Sequence, residues 1–115
     1  MVSILKYYCI GGGMTDFLNL ELIDKAIDSY ALFNKTQKNV LKALIRVNID
    51  GYSTISIKEL CKRTGVTNAP ISKAISMLEQ YGVIEDIRRR GIIFTGCRVK
   101  QSKISEIINR YNLDD

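Results

Sequence analysis

Residues 64–84, TGVTNAPISKAISMLEQYGVI, contain a predicted helix whose two faces differ in an unusual way. Its inner face carries apolar side chains at helical spacing: Ile71, Ala74, Ile75 and Leu78. Its outer face, where a solvated helix usually carries long charged side chains, is built mainly from short ones: Asn68, Ala69, Ser72, Lys73 and Ser76. Pro70 is compatible with the first turn because the amides there have no acceptor within the helix. We therefore predict a helix over residues 67–81 whose outer face allows a close approach to a partner.

A shorter helix is predicted directly before it. Ser56 and Glu59 have the spacing of a capping box, which predicts a helix that runs to about Thr64. Ile57, Leu60 and Cys61 supply its apolar side, and a short strand is predicted over residues 54–56.

A tight turn separates the two helices. Gly65 suits a left-handed helix end, and Val66 is an apolar anchor for the turn. Thr67 is predicted to cap the next helix by accepting a hydrogen bond from the amide of Ala69, because Pro70 has no N–H.

The segment after Gly82 alternates like two strands. Residues 83–99 place apolar side chains at Val83, Ile84, Ile87, Ile93, Phe94 and Val99. The letters RRRG, residues 88–91, are predicted to form the turn between the strands. The sequence thus predicts a hairpin with three arginines at its tip.

Helical patterns flank this core on both sides. Residues 15–34 are apolar around most of a helix, so a second subunit or the rest of the domain must cover two sides of it. Thr36 is predicted to cap the following helix, in which Val40, Leu41, Leu44 and Ile45 face inward. Its outer face carries a row of cations, Lys35, Lys38, Lys42 and Arg46, which suits either phosphate groups or water. Ser102 is predicted to cap a last helix over 102–112, whose stripe of Ile104, Ile107, Ile108 and Tyr111 suits a core or a dimer contact.

Charge and composition narrow the classes of function. The net charge is +5, and residues 51–105 hold ten basic and four acidic side chains, so a polyanionic partner is plausible. The chain has no histidine and three cysteines, Cys9, Cys61 and Cys97, without metal-ligand spacing, which argues against a zinc site. No acid–base pair or phosphate loop is present, so we predict neither an enzyme nor a cofactor. Without an apolar run long enough for a membrane, we expect a cytoplasmic protein.

The N-terminal end allows two interpretations. Residues 1–13 form an extension that is compatible with a strand before the flexible GGG, residues 11–13. Alternatively Met14 is the native start, because glycine codons begin with GG and would resemble a ribosome-binding site. Residues 14–115 are then a single domain.

The order of helix, glycine turn, helix and basic hairpin resembles a winged helix-turn-helix. Residues 55–94 are similar to the core of the winged-helix DNA-binding families, including the MarR and GntR types, through Leu60, Gly65, Ile71, Leu78 and Gly82. The resemblance implies a mainly α fold with a small β-hairpin wing, here with additional N-terminal and C-terminal helices. A longer resemblance spans nearly the whole chain: FLNLELIDKAI (residues 17–27), KTQKNVLKALIRVN (residues 35–48) and the helix-turn-helix after them are similar to the N-terminal origin-binding domains of phage replication initiators of the lambda O type.

The resemblance implies binding of double-stranded DNA. Short side chains on the outer face would let the helix fit into the major groove and approach the base edges. We predict base contacts from Asn68, Ala69, Ser72, Lys73 and Ser76. We predict contacts to the DNA backbone or the minor groove from Thr67, Arg88, Arg89, Arg90, Lys38 and Lys42. The favoured interpretation is a homodimeric transcriptional regulator, specifically a repressor. A phage or plasmid replication initiator and a module that binds only protein are the alternatives.

Overall fold

The structure is a computed structural model that describes residues 20–114. This part of the chain forms five helices and one antiparallel sheet of four strands. The helices are α1 (Leu20–Asp28), α2 (Lys35–Arg46), α3 (Ile57–Thr64), α4 (Asn68–Gln80) and α5 (Gln101–Asp114). The strands are β1 (Asn48–Ile49), β2 (Tyr52–Thr54), β3 (Ile84–Arg90) and β4 (Ile93–Val99). The predicted fold class, mainly helical with a β-hairpin wing and additional helices at both ends, is confirmed. Residues 1–13, the two candidate starts, Cys9 and the predicted helical residues 15–19 lie outside the described residues.

The core is a three-helix unit extended by a second layer. Helix α2 packs against both α3 and α4, and the contact is formed by fully buried side chains such as Leu41, Leu44, Leu60 and Leu78. Helix α1 packs against α2 on one side and α5 on the other. The predicted stripe on α5 is therefore part of the domain core, since Ile104, Ile107 and Ile108 are buried. No helix of residues 20–114 is long and apolar enough to span a membrane.

The sheet has the order β1-β2-β4-β3, and it includes a hairpin that was not predicted. Strands β1 and β2 are joined by Asp50 and Gly51, which both have positive φ (53° and 91°), as a two-residue type I′ turn requires. The predicted strand at residues 54–56 lies two residues earlier, at Tyr52–Thr54. Buried polar side chains fix this hairpin on α2. The Ser53 hydroxyl donates to the Leu44 carbonyl (2.7 Å), and the side-chain amide Nδ2 of Asn48 donates to Ser53 Oγ (3.0 Å).

The first helix ends earlier than predicted, and a different residue caps the second. Helix α1 ends at Asp28 rather than near Asn34, although Tyr30 and Phe33 are buried in the turn that follows. The N-cap of α2 is Asn34, not Thr36. Asn34 Oδ1 accepts from the Gln37 amide (2.8 Å), and Gln37 Oε1 accepts from the Asn34 amide (3.0 Å), which completes a capping box. The extended backbone that a cap requires at Asn34 (ψ 175°) prevents a continuous helix from running from α1 into α2.

The cap predicted for the last helix is also wrong. Helix α5 begins at Gln101, so Ser102 lies within its first turn. The Lys100 carbonyl accepts hydrogen bonds from the amides of Lys103 (3.1 Å) and Ile104 (3.2 Å), and Lys100 is therefore the residue that precedes the helix. The helix continues to Asp114, two residues beyond the predicted end at 112.

Candidate nucleic-acid interface

The turn between α3 and α4 has the predicted construction. Gly65 adopts the left-handed conformation (φ 73°), and its amide donates to the Cys61 carbonyl at 2.8 Å. At the start of α3, Ser56 Oγ accepts from the Glu59 amide (3.0 Å), which confirms the predicted cap. The Glu59 carboxylate pairs with Arg63 instead of returning to the cap (3.0 Å). These contacts fix the angle at which α4 leaves the turn.

Helix α4 has the two faces predicted from its sequence. The four inner residues, Ile71, Ala74, Ile75 and Leu78, are all at most 3% exposed. The five outer residues, Asn68, Ala69, Ser72, Lys73 and Ser76, are all classed as exposed to solvent. The helix is one residue shorter at each end than the predicted range 67–81. Its outer face is thus an accessible surface of short side chains.

The predicted hydrogen bond from Ala69 to the Thr67 side chain is wrong. Thr67 occupies the N-cap with an extended backbone (ψ 172°), but its side chain makes no capping hydrogen bond. A capping hydroxyl commonly bonds the amide of the third helical residue. That residue is Pro70, which has no N–H. The Thr67 hydroxyl is exposed and unused by the cap, so an external acceptor can reach it.

The three arginines lie in a strand and not in the turn. Residues 88–90 form the end of β3, and Arg90 pairs with Ile93 across a two-residue turn of Gly91 and Ile92. Gly91 has φ 65°, which is what the first position of a type II′ turn needs. The prediction that residues 88–91 form the turn is therefore wrong, because of these four residues only Gly91 lies in it. As strand residues, successive arginines point to opposite faces of the wing.

A bulge in β3 decides which arginine faces which side. Glu85 pairs with Arg98 and Arg88 pairs with Gly96, so β3 has one more residue than β4 in this interval. Asp86, with φ 49°, lies in the bulge. A second irregularity follows, because β4 has one extra residue, Thr95, between the partners of Arg88 and Arg89. The two irregularities together shift the alternation that begins at buried Ile84. Arg88 consequently faces Tyr52, and Arg89 faces α4.

Arg88 is engaged within the domain. Its guanidinium lies 4.5 Å from the centroid of the Tyr52 ring, and that of Arg98 lies 5.8 Å from it. Arg98 Nε also pairs with Asp86 Oδ2 (3.3 Å), and the Tyr52 hydroxyl donates to the Asp86 carbonyl (3.3 Å). Burial raises the pKa of Tyr52, while the positive charge of Arg88 lowers it. This cluster joins the base of the wing to β2.

Arg89 shares a groove with the outer face of α4. The groove has a volume of about 370 Å³, and its polar lining consists of Asn68, Ser72 and Ser76 from α4 and Arg89 from β3. Apolar side chains from α3, α4, the wing turn and β4 complete it: Ile57, Ile75, Ile92, Ile93 and Phe94. The Ser72 hydroxyl donates to Asn68 Oδ1 at 3.3 Å. The structure therefore brings together three of the five predicted base-contact residues and one wing arginine, while Ala69 and Lys73 lie outside the groove.

Lys38 and Lys42 contact α1. Lys38 Nζ donates to the Asp28 carbonyl (2.6 Å), and Lys42 Nζ pairs with the Asp28 carboxylate (2.8 Å). Arg46, in the same row, pairs with Asp24 at 2.6 Å, and this hydrogen bond raises the pKa of Arg46. The row of cations on α2 is thus used largely to hold α1. A role for Lys38 and Lys42 on DNA phosphates stays a prediction.

The charge beside the groove is not neutralised locally. Within residues 20–114, Lys73, Arg89 and Arg90 form no ion pair, whereas Lys42, Arg46 and Arg63 on α2 and α3 each pair with a carboxylate. Positive charge is therefore available where the short side chains of α4 are exposed. This combination suits an anionic partner that approaches closely.

Residues 20–114 contain no group of three or more His, Cys, Asp or Glu side chains that could hold a metal ion. Cys97 is completely buried, and burial, with a smaller effect of the negative charge of Glu79, raises its pKa to about 12. Cys61 is half-buried and packs against the core, as predicted.

Sequence reasoning missed the residues that support the wing. Tyr52, Asp86 and Arg98 are distant in the sequence, and the pairing of β4 with both β2 and β3 brings them together. One local signal was available: Asp50-Gly51 is the dipeptide typical of a tight hairpin, and it indicates that a strand precedes Tyr52.

The comparison with known proteins agrees with this geometry. Residues 33–85 match the family model described as winged helix-turn-helix DNA-binding. The matched region contains α2, α3 and α4 and reaches the first residues of β3. No curated protein and no solved structure matches the chain. The three packed helices, the turn at Gly65 and the wing that continues to Val99 give the region that begins at Phe33 the fold of a winged helix-turn-helix, in agreement with the family model that matches residues 33–85.

Proposed function

We propose that this protein binds double-stranded DNA in a sequence-specific manner and acts as a transcriptional regulator, specifically a repressor. The observation that carries the proposal is the groove in which Asn68, Ser72 and Ser76 of α4 lie beside Arg89 of the wing. Short polar side chains next to an unpaired guanidinium suit a duplex whose bases are read while its phosphates are neutralised.

Helix α4 reads base edges in this proposal. The major groove is about 12 Å wide, so a helix with short outer side chains can approach its floor. Asn68 can form paired hydrogen bonds with adenine, and Lys73 can donate to guanine. Ser72 and Ser76 can bond to either bases or phosphates, and Ala69 can contact a thymine methyl group. The bond between Ser72 and Asn68 lies at the surface and can exchange for bonds to DNA.

The wing and the turn contact the backbone or the flanking minor groove. Arg89 and Arg90 have no carboxylate partner among the described residues and supply the charge. Arg88 contributes mainly by holding the wing on Tyr52. Thr67 offers its exposed hydroxyl to a phosphate. Lys38 and Lys42 would contribute only by exchanging their bonds to Asp28 for phosphate contacts.

A repressor of this size would bind as a homodimer on inverted half-sites about one helical turn apart. The apolar stripes of α1 and α5 are occupied with each other inside one chain, so they are not available for the contact. The proposed contact therefore uses apolar side chains that remain at the surface near these helices, Leu32 (59% exposed) and Leu113 (83% exposed).

The test is fluorescence anisotropy of labelled duplex and single-stranded DNA across a salt series. We expect duplex binding that weakens steeply with salt, and the variant with Arg88, Arg89 and Arg90 replaced by Ala should lose up to about 0.9 in slope per lost phosphate contact. A matched control removes three cations from α1 and α5 instead: Lys25→Ala, Lys103→Ala and Arg110→Ala. Equal loss in both triple variants would refute the placement of the wing on DNA. Absence of duplex binding at low salt would refute the function and favour a protein partner.

Selection from a random duplex pool then separates the roles. A regulator should enrich one short palindrome, whereas a replication initiator should enrich a repeated, directly oriented site. Analytical ultracentrifugation of the complex gives the number of protein chains on that site.

A further inference from the structure

The tip of the wing is apolar and almost completely exposed. Ile92 is 94% exposed and Ile93 is 60% exposed. A two-residue turn is usually built from Gly, Asn, Asp or Ser, which are compatible with water and with the turn geometry. Gly91 meets this expectation, but a branched apolar residue beside it does not. The tip therefore presents an apolar side chain that no described residue covers.

The surroundings of Ile92 indicate which partner covers it. Arg89 and Arg90 precede the turn without an ion pair among the described residues, and Ile92 and Ile93 line the same groove as Asn68 and Ser72. A partner that occupies this groove thus meets the apolar tip and two positive charges together. A second copy docked tip to tip would bring the arginines of both wings together, which is unfavourable. A polyanion with an apolar interior fits better.

Several contacts hold the wing against β2. Its base is joined to β2 by the cluster of Tyr52, Arg88 and Arg98. Gly96 lies so close to the Ser53 carbonyl that no side chain fits between β4 and β2. The turn itself has only two residues. Ile92 is thus presented on a short and braced hairpin.

We infer that Ile92 enters the minor groove beside the bound site and acts as an apolar wedge that partly unstacks one base step. Side chains of this kind kink duplexes by about 20–90° when they insert from the minor groove. Flexible pyrimidine–purine steps such as TA unstack most easily, so we expect one at the flank of the preferred site. Arg89 and Arg90 hold the adjacent backbone. The inference rests on the proposed DNA binding and adds deformation of the duplex to it.

The experiment measures the bend and the affinity separately. A duplex that carries the selected site and a fluorophore at each end reports the bend by energy transfer, and anisotropy on the same duplex reports the affinity. Wild type is compared with Ile92→Ser, which removes the apolar side chain, and with Ile92→Leu, which keeps it. Ile49→Ser is the matched control, because Ile49 is equally apolar, 68% exposed and located on β1.

We expect the wild type, Ile92→Leu and Ile49→Ser to shorten the distance between the fluorophores, whereas Ile92→Ser should leave the duplex nearly straight. Replacing a TA step at the flank by a stiffer step should reduce the wild-type bend. Binding of the wild type without a bend, or an equal bend with Ile92→Ser, would overturn the wedge and leave the proposed function standing. Failure of the wild type to bind duplex DNA would overturn both.

Discussion

Replacing Gly96 by alanine tests whether the wing is as closely packed on β2 as the structure shows. An added Cβ at this position would lie 2.6 Å from the Ser53 carbonyl oxygen and 2.9 Å from Cε2 of the Tyr52 ring. Ordinary van der Waals contact begins near 3.4 Å, so the backbone oxygen has to move by roughly 0.8 Å. Ser53 is buried and bonded to α2, which leaves it little freedom to move.

The expected effect is the balance of two opposing terms. Alanine restricts the unfolded chain and stabilises by about 0.4–1 kcal/mol where it fits. Overpacking against a fixed backbone destabilises by about 1–3 kcal/mol. The clash should win, and we expect the free energy of unfolding to fall by about 2 kcal/mol. For a domain of this size, that corresponds to a fall in Tm of about 10 °C.

Circular dichroism during thermal and urea unfolding measures this change. The Tyr52→Ala variant, alone and combined with Gly96→Ala, separates the ring contact from the backbone contact. Because the backbone oxygen is the nearer obstacle, Tyr52→Ala should relieve only a small part of the loss. A Gly96→Ala variant as stable as the wild type would show that β4 and β2 are not in this register.

Four further outcomes follow from individual contacts. Arg89→Ala should lower the salt slope of duplex binding by about 0.9. Arg88→Ala, which loses the contact with the Tyr52 ring, should leave the slope unchanged and lower Tm. The reverse result would contradict the placement of Arg88 on Tyr52 and of Arg89 beside α4. Asn68→Ala should weaken binding to the selected site by about 1–3 kcal/mol and change the preferred base at one position, as repeated selection would show. Asn34→Ala removes the capping box and should lower the free energy of unfolding, measured with urea, by about 1 kcal/mol. An unchanged free energy of unfolding would show that the cap contributes nothing. Cys97, whose pKa is raised to about 12 by burial, should be alkylated at about pH 8 only when the chain unfolds. Peptide mass spectrometry distinguishes it from Cys9 and Cys61, and rapid labelling of Cys97 itself in the native protein would refute its burial.

The features that could be predicted from the sequence depend on local periodicity. The buried and exposed faces of α4, the left-handed Gly65 and the Ser56 cap each depend on residues within four positions of one another. At this range, helix geometry alone fixes which side chains lie together.

The features that were missed depend on competition or on distant pairing. The apolar period of the first helix continues through Phe33, but the cap at Asn34 requires an extended backbone and ends the pattern. Thr67 lacks its capping bond because Pro70 removes the amide that such a bond prefers. The bulge at Asp86 shifts the alternation of β3, and no local pattern in the sequence reveals which arginine then faces α4.

The neighbouring positions 88 and 89 carry the same residue, yet they should tolerate change differently. At position 88 the flat guanidinium lies over the Tyr52 ring, and lysine would keep the charge while losing the planar contact. At position 89 a lysine could still neutralise a phosphate. A substitution score that treats the two arginines alike would therefore overestimate the harm of Arg89→Lys and underestimate that of Arg88→Lys. The run of identical letters is one charge cluster in the sequence, but in the folded protein Arg88 packs on a ring within the domain, while Arg89 is free for the contact to DNA that we propose.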